Sequence, residues 1–275
     1  MQDNVIALLR CPRCGGKMER RGGSLLCPKG HCYDLSRYGD VNFAPEKRES
    51  FYTKALFESR ARVFAAGVFD PVIAAIDEAL AAHLPQGRCA VLVDAGCGEG
   101  FYTRRVLEGT PMTRIGFDLC KEAVRLAARG GRDASFFVGD LANIPLGDGC
   151  ADVLLDVFTP ANYAQFARVL RPGGLLVKLA PRAGYLAELR EAARGLLRRG
   201  EHDGAPVEQY AQKHMALLDR REITYTLPVD AALAADLARM TPMLAGIDVD
   251  RLDLSAVTQI TVDETLMVGT PKTAR

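Results

Sequence analysis

Residues 91–103 read VLVDAGCGEGFYT, and this stretch decides the fold. Its first apolar residues are typical of a buried parallel strand over 91–93, and the glycines predict a turn into a helix over 101–107 that Gly109 ends. Side chains at these glycines would clash with a ligand lying against the backbone, and such turns often need positive φ. The stretch therefore predicts a ligand site between a strand and a helix N-terminus.

The spacing of the glycines argues against a dinucleotide ligand. A dinucleotide fingerprint that starts at Gly96 needs a glycine where Phe101 stands. Two acids follow the next predicted strands, which cover 114–118 and 135–138: Asp118 and Asp140. Asp118 lies about 20 residues beyond the turn, where an acid can accept hydrogen bonds from both ribose hydroxyls. NAD is therefore disfavoured.

The pattern Asp-x-Gly-x-Gly-x-Gly at 94–100, followed by Asp118 and Asp140, resembles motif I of the class I S-adenosylmethionine-dependent methyltransferases. In that family the loop holds the methionine and ribose parts of the cofactor, and an acid at the position of Asp140 faces the adenine amino group. The resemblance implies an α/β fold with a Rossmann-like sheet. The main alternative is another Rossmann-like protein, in which Asp140 only forms a turn.

Strands and helices alternate along the rest of the chain. Further strands are predicted over 153–157 and 175–179 with a helix over 162–169 between them, which indicates a parallel sheet covered on both faces. The last strand, 258–268, is expected to be the late antiparallel strand of this fold. Asp70 and Pro71 are typical of an N-cap and first turn, and they predict a helix that ends near Leu84.

Composition indicates an ordinary cytoplasmic enzyme. The formal net charge of the 275 residues is +1, so any RNA affinity must be local, and neither DNA nor a membrane is an expected partner. No apolar run approaches the roughly 20 residues of a membrane span, and the N-terminus lacks the apolar core of a signal peptide. Eight cysteines in such a protein indicate a metal site or free thiols rather than disulfides.

The N-terminal cysteines have the spacing of a zinc ribbon or knuckle. Two residues separate Cys11 from Cys14, and three separate Cys27 from His31, so that two tight turns each present two ligands. Either His31 or Cys32 could provide the fourth ligand. So little apolar material surrounds these residues that we expect a structural zinc ion to supply the folding energy. Reduced thiols without metal are the alternative.

Residues 1–45 carry seven basic and four acidic side chains, a net charge of +3. A rigid basic module could hold phosphates while the larger part of the chain does the chemistry. The same composition also suits a small ribbon that is polar on all sides, and the sequence leaves both interpretations open.

A more specific resemblance joins the two parts of the chain. Together with motif I, the zinc signature is similar to the bacterial 23S rRNA (guanine-N1)-methyltransferases, and further matching segments are residues 39–45, 57–62, 67–71, 158–160, 168–174, 181–189 and 240–242. The resemblance implies zinc ligands at Cys11, Cys14, Cys27 and His31, and a homodimer with one RNA-binding cleft. In some relatives, methylation of a guanine in a 23S rRNA hairpin confers macrolide-type resistance.

The resemblance also implies the residues of the active site. Cofactor contacts are expected from Phe69, Asp94, Gly96, Cys97, Gly98, Gly100, Tyr102, Thr103, Asp118, Leu119, Asp140, Leu141 and Tyr185. Guanine N1 carries a proton, and Asp156 at the end of the fourth strand is the candidate general base. Phe158 could stack on the target base or line the core.

Three departures from the family pattern lie around the expected pocket: Tyr185 in place of histidine, Met243 in place of an aromatic residue, and Asp156 in place of asparagine or arginine. They keep a small-molecule methyltransferase on the same scaffold as the first alternative. A non-catalytic RNA-binding protein is the second. The predicted domains are a zinc-binding module at 1–46, linker helices at 47–85 and a methyltransferase domain at 86–275.

Overall fold

The glycine turn lies in the larger of two sheets in the computed structural model, which describes residues 1–46, 53–84, 90–197 and 205–272. The helices in chain order are α1 (Asp3–Ile6), α2 (Lys54–Ala65), α3 (Asp70–His83), α4 (Phe101–Arg105), α5 (Lys121–Arg129), α6 (Tyr163–Val169), α7 (Ala187–Ala192), α8 (Ala205–His214) and α9 (Ala231–Met240). The strands are β1 (Glu19–Arg21), β2 (Ser24–Leu26), β3 (Cys32–Asp34), β4 (Val41–Asn42), β5 (Val91–Ala95), β6 (Thr113–Asp118), β7 (Ser135–Val138), β8 (Ala151–Val157), β9 (Leu170–Pro181), β10 (Met215–Pro228) and β11 (Gln259–Pro271).

The larger sheet has the strand order β10-β11-β9-β8-β5-β6-β7-β4, and β1 to β3 form a small antiparallel sheet. The strands from β9 to β4 are parallel to one another, whereas β11 runs antiparallel to both β9 and β10. This confirms the predicted α/β fold, a parallel sheet with a late antiparallel strand. The strand order reverses between β5 and β8, where ligands bind in open sheets of this kind.

The predicted strands lie within observed ones except at residue 258, which precedes β11, and two of the predicted helices have different bounds. The helix after the glycine turn ends at Arg105, because Val106 is already extended and Leu107 has a φ of 52°. Asp70 is the first residue of α3 rather than its cap, and Phe69 precedes it without a side-chain capping bond. Helix α4 begins where the sequence predicts, and α3 begins one residue earlier than predicted.

The N-terminal residues share a core with the larger sheet. Val5, Leu9, Val41 and Phe43 are buried in one cluster with sheet residues that include Phe137. β4 adds to the sheet edge by pairing in parallel with β7. The residues on either side of 11–31 therefore complete a core that the sheet begins, while the expectation of little apolar material within 11–31 stays a prediction.

Helix α2 packs its apolar face inward, with Phe57 and Phe64, seven residues apart, both buried. The Phe64 ring stacks on Phe101 with centroids 4.0 Å apart, while Arg62 pairs with Asp236 of α9 at 2.6 Å. The predicted domain boundary near residues 46–53 falls mostly outside the described residues. The division into 1–46, 47–85 and 86–275 therefore stays a prediction.

Among the helices in the described part of the chain, none combines the length and the apolar character that crossing a bilayer requires.

Candidate active site

The turn after β5 holds three glycines in the left-handed region, with φ of 78° at Gly96, 56° at Gly98 and 84° at Gly100. A Cβ on Gly96 would overlap the hydroxyl of Thr159 and lie 2.9 Å from its Cβ, and one on Gly100 would lie 2.8 Å from the Phe136 ring. Backbone conformation and close approach both require glycine here. The backbone of this turn therefore requires its glycines, as the sequence predicts.

Asp118 lies at the end of β6 and is joined to this turn. Its Oδ2 accepts a hydrogen bond from the Gly98 amide at 2.9 Å, and Oδ1 accepts one from Cys120 at 2.8 Å. Burial raises the pKa of Asp118, although the two amides oppose the shift. The carboxylate is thus held at the strand end with lone pairs left for further donors, which suits ribose hydroxyls.

Asp140 follows the neighbouring strand β7. Its Oδ1 accepts the Ala142 amide at 2.9 Å, so the side chain shapes its own turn, and the Gly139 amide donates to the Asp118 carbonyl at 3.0 Å. Leu119 and Leu141 beside the two acids are half-buried. The structure brings the two acidic turns together, while their contacts with a cofactor stay a prediction.

Asp94, Cys97 and Thr103 support the turn from below. All three are buried, and the Thr103 hydroxyl donates to Oδ2 of Asp94 at 2.6 Å. Burial raises the pKa of Asp94 to about 7, with the charge of Asp118 adding to the effect. Burial likewise raises the pKa of the Cys97 thiol, which makes it an unreactive small residue.

Arg60 of α2 is a site residue that the sequence analysis did not single out. Its guanidinium lies 3.4 Å from the position that a Cβ on Gly98 would take, and its Nε is 3.2 Å from Oε2 of Glu99. The rings of Phe57 and Phe64 flank it at 5.9 and 5.4 Å. The ion pair has no conventional hydrogen bond: Arg60 Nε and both Glu99 oxygens are buried without a hydrogen-bond partner among the described residues.

Three of the predicted cofactor contacts are aromatic residues. Phe69 is buried and packs edge-on against Phe64, with centroids 5.5 Å apart. Tyr102 is buried, and its hydroxyl has no hydrogen-bond partner within the described ranges. Tyr185 lies 5.5 Å from the ring of Phe158, which is 39% exposed. Phe69 and Tyr102 are thus core residues packed around Phe64, and the contacts of Phe69, Tyr102 and Tyr185 with a cofactor stay a prediction.

Asp156 lies in a buried ion pair. Its Oδ2 is 2.9 Å from Nζ of Lys178, which also donates to the Thr159 carbonyl at 2.8 Å. Burial raises the pKa of Asp156 to about 6, against the opposing charge of Lys178. The pair fixes the loop that follows β8. A role for Asp156 as a general base stays a prediction.

A cavity of about 310 Å³ opens beside this loop, on the side where Lys178 lies. Thr159 and Pro160 form one wall, and Tyr163 and Tyr210 of α6 and α8 form another. Tyr210 is 53% exposed. The loop after β8 therefore has exposed aromatic surface on both sides, with Phe158 towards the glycine turn and Tyr210 towards this cavity.

The predicted metal ligands Cys11, Cys14, Cys27 and His31 form one cluster, with ligand atoms all within 4.8 Å of one another. The Sγ atoms of Cys14 and Cys27 are 3.6 Å apart, and Nδ1 of His31 is 3.4 Å from Sγ of both Cys11 and Cys27. A tetrahedron with Zn–S bonds of about 2.3 Å has edges of about 3.8 Å, so the cluster fits zinc. Cys32 is exposed and lies outside the cluster.

Comparison with known proteins gives matches over part and over nearly all of the chain. Residues 92–174 match a family model described as a methyltransferase domain. The chain is 34% identical to the YxjB protein of Bacillus subtilis (strain 168), whose name proposes a 23S rRNA (guanine-N1)-methyltransferase, over 96% of this chain and 97% of that protein. It is 31% identical to the 23S rRNA (guanine(748)-N1)-methyltransferase of Streptomyces fradiae, over 98% of this chain and 99% of the relative.

Proposed function

This chain belongs to the family of 23S rRNA (guanine-N1)-methyltransferases, and we propose on that premise that it methylates N1 of one guanine in a 23S rRNA hairpin. It is an S-adenosylmethionine-dependent methyltransferase. The observation that carries the proposal is a likeness that extends over both the Cys/His cluster and the glycine turn. A likeness to methyltransferase domains alone would leave the substrate open.

The cofactor fits the residues at the glycine turn. Gly98 holds its amide against Asp118, Asp118 suits the ribose, and Arg60 suits the cofactor's carboxylate. When bound, S-adenosylmethionine supplies an electrophilic methyl group, so the protein mainly has to align a nitrogen lone pair with it. Phe158 and Thr159, at the end of β8, lie where that nitrogen would be held.

Arg60→Met is expected to weaken binding of S-adenosylhomocysteine about tenfold or more, since a hydrogen bond between charged groups contributes about 1.5–3 kcal/mol. Binding of 5′-methylthioadenosine, which lacks the carboxylate, should change less than twofold. Isothermal titration calorimetry of both ligands measures the difference. Arg62→Met is the matched control, because Arg62 also lies on α2 but bonds to Asp236. Equal losses for the two ligands, or an equal loss in the control, would contradict the role of Arg60.

The Cys/His cluster is proposed to hold a structural zinc ion. Four protein ligands leave no open coordination position, so the ion would organise the module without entering the reaction. The two ligand-bearing turns each carry an exposed cation, Arg13 in the first and Lys29 in the second. Exposed cations held on a rigid turn suit phosphate contacts that position RNA without reading its sequence.

The remaining expectations rest on the family resemblance. They are a homodimer that forms one RNA-binding cleft, a cytoplasmic location where rRNA is made and assembled, and the domain division given above. Sedimentation of the purified protein with and without rRNA tests the dimer.

The decisive experiment is methyl transfer from labelled S-adenosylmethionine to 23S rRNA that lacks the modification, followed by primer extension. We expect label to enter the rRNA and a single strong stop to appear at one guanine. Asp118→Ala is the control, because it removes the acid that joins β6 to the glycine turn, and it should lose both label and stop.

The other outcomes separate the alternatives. Cofactor binding with unlabelled rRNA would overturn the rRNA substrate and favour a small-molecule methyltransferase. A protein that binds rRNA but no S-adenosylmethionine would instead be a non-catalytic RNA-binding protein.

A further inference from the structure

Glu264 is a buried acid that the sequence analysis did not assign to the site. It lies in β11 with no exposed surface, and neither of its carboxyl oxygens has a hydrogen-bond partner among the residues described. A carboxyl group buried without partners is costly, and such groups are rare in folded proteins. Its position in the sheet indicates why the chain keeps it.

Strand register places Glu264 at the edge of the sheet where the ligand sites lie. It is opposite Pro181, the last residue of β9, so it is level with the carboxyl end of that parallel strand. Asp156 is opposite Lys178, and Lys178 is opposite Met267. Glu264 is therefore three residues nearer to the ligand edge than the level of Asp156.

The two acids also lie on opposite faces of the sheet. Side chains alternate between the faces along a strand, so Glu264 and Met267 point in opposite directions, and Asp156 shares the face of Met267. The face of Glu264 belongs to the core cluster that contains Val262, Leu266 and Tyr102. Tyr102 follows directly after the glycine turn. Glu264 is thus on the cofactor side of the sheet, and Asp156 is on the other.

The charge of Glu264 acts on three buried or half-buried tyrosines. Burial raises the pKa of Tyr102, Tyr185 and Tyr225, and in each case the charge of Glu264 adds to the shift. Burial and the charge of Asp263 in turn raise the pKa of Glu264 well above its usual range. Arg60 is the cation that acts on Tyr102 and Tyr185. Glu264 is therefore near enough to these three tyrosines for its charge to act on them.

The segments that follow β8 and β9 each contain a residue under backbone strain. Phe158 has a φ of 53° and Leu186, next to Tyr185, has a φ of 51°. Positive φ in bulky residues is uncommon and clusters at functional sites. The rings of Phe158 and Tyr185 contact each other, with centroids 5.5 Å apart.

We propose that Glu264 is a catalytic residue that accepts the proton from guanine N1 during methyl transfer. The inference rests on the proposed function. The N1–H bond breaks and its proton goes to a carboxylate oxygen of Glu264, while the nitrogen lone pair forms the N1–CH₃ bond and the S–CH₃ bond breaks. The second carboxylate oxygen can accept a hydrogen bond from the guanine 2-amino group. The products are N1-methylguanine, S-adenosylhomocysteine and a protonated Glu264.

The surroundings of Glu264 suit this role. Burial raises the pKa of this carboxyl group, so its carboxylate is a stronger base than that of an exposed glutamate. Its lack of partners leaves both oxygens available for the two donors on the guanine edge. Asp156, in contrast, is already paired with Lys178.

Glu264→Gln tests the inference in single-turnover methylation of 23S rRNA, with Asp156→Asn as the matched control. We expect Glu264→Gln to slow transfer about 100-fold or more at neutral pH, within the range for loss of a general base. Its deficit should shrink as the pH rises, because guanine N1 then loses its proton to solvent. Affinity for S-adenosylhomocysteine should stay within twofold of the wild type. Asp156→Asn should show no such recovery with pH.

A stability measurement checks the state of the group without using activity. The folded-state pKa of Glu264 is raised above its unfolded value, so the folded protein holds the proton more tightly between those two values. Its contribution to stability is therefore lost as the pH rises from the unfolded pKa through the folded one. Chemical unfolding of Glu264→Gln should lack this loss and should show a protein at least as stable as the wild type at neutral pH.

The outcomes separate the inference from the proposed function. A wild-type protein that leaves rRNA unlabelled overturns the function and the inference together. A wild type that methylates one guanine beside an equally active Glu264→Gln overturns the inference alone. A slow variant whose deficit is the same at every pH also overturns it, because that result indicates a structural role.

Discussion

Gly96→Ala is expected to destabilise the fold by about 3 kcal/mol and to remove measurable cofactor binding. The turn requires a left-handed conformation at this position, and this conformation costs a residue with a Cβ about 1–2 kcal/mol. It also overlaps the Thr159 side chain, and overpacking of this kind costs about 1–3 kcal/mol. The protein can relieve the overlap by shifting the turn or by displacing the loop after β8. Both movements misalign the cofactor and the substrate. Urea unfolding and calorimetry with S-adenosylhomocysteine measure the two effects.

Gly109→Ala is the control that separates the steric overlap with Thr159 from the free-energy cost of the left-handed conformation. Gly109 has a φ of 81°, close to the 78° of Gly96, but no atom lies within 4 Å of an added Cβ. The control should therefore lose only about 1–2 kcal/mol and bind the cofactor normally. Thr159→Gly removes the clashing atoms and should restore part of the stability of Gly96→Ala. If the two alanine variants are equally stable, the close approach at Thr159 is not a determinant of the turn.

Cys27→Ala is expected to abolish stoichiometric zinc and to destabilise the protein by about 4 kcal/mol or more, in the range that loss of a metal site produces. Cys27 is buried at the centre of the cluster, within 3.6 Å of Cys14 and 3.4 Å of His31. Its loss leaves three ligands around a site with no fourth group to replace it. Metal analysis of the purified protein and urea unfolding with and without a chelator measure the effect.

Cys32→Ala is the matched control, since it makes the same chemical change to an exposed thiol next to His31. It should keep one zinc ion per chain and change the free energy of unfolding by less than about 0.5 kcal/mol, as surface substitutions usually do. Loss of zinc in Cys32→Ala with retention in His31→Ala would reverse the assignment of the fourth ligand. A zinc-free wild type of full stability would contradict the metal site itself.

The parts of the fold that local sequence determines were predictable. The glycine turn follows from residue types at fixed spacing, and the strands that flank it are short apolar runs. β10 was not predicted, because charged residues such as Arg220 and Glu222 alternate along an edge strand whose burial comes from one neighbour. Its long pairing with β11 depends on residues more than thirty positions away.

Parts of the site escaped prediction for a related reason. Arg60 reaches the glycine turn only because α2 packs across it, and no spacing in the sequence links the two. Asp156 attracts attention at a strand end, but alternation along β8 turns it to the face opposite that of Glu264. Glu264 stands between Asp263 and Thr265 near the far end of the chain, where no motif marks it. Its position becomes visible only when β11 is aligned with β9.

The pairing of β4 with β7 makes the order of synthesis matter. Residues 41–42 leave the ribosome well before residues 137–138, and translation at about 5–20 residues per second makes the delay at least several seconds. During that time Val5, Leu9 and Phe43 have no sheet to cover them. An early metal ion can hold the two Cys-bearing turns together before the strand finds its partner. Nascent chains made under zinc starvation are therefore expected to be captured by chaperones or degraded more often than nascent chains made with zinc present.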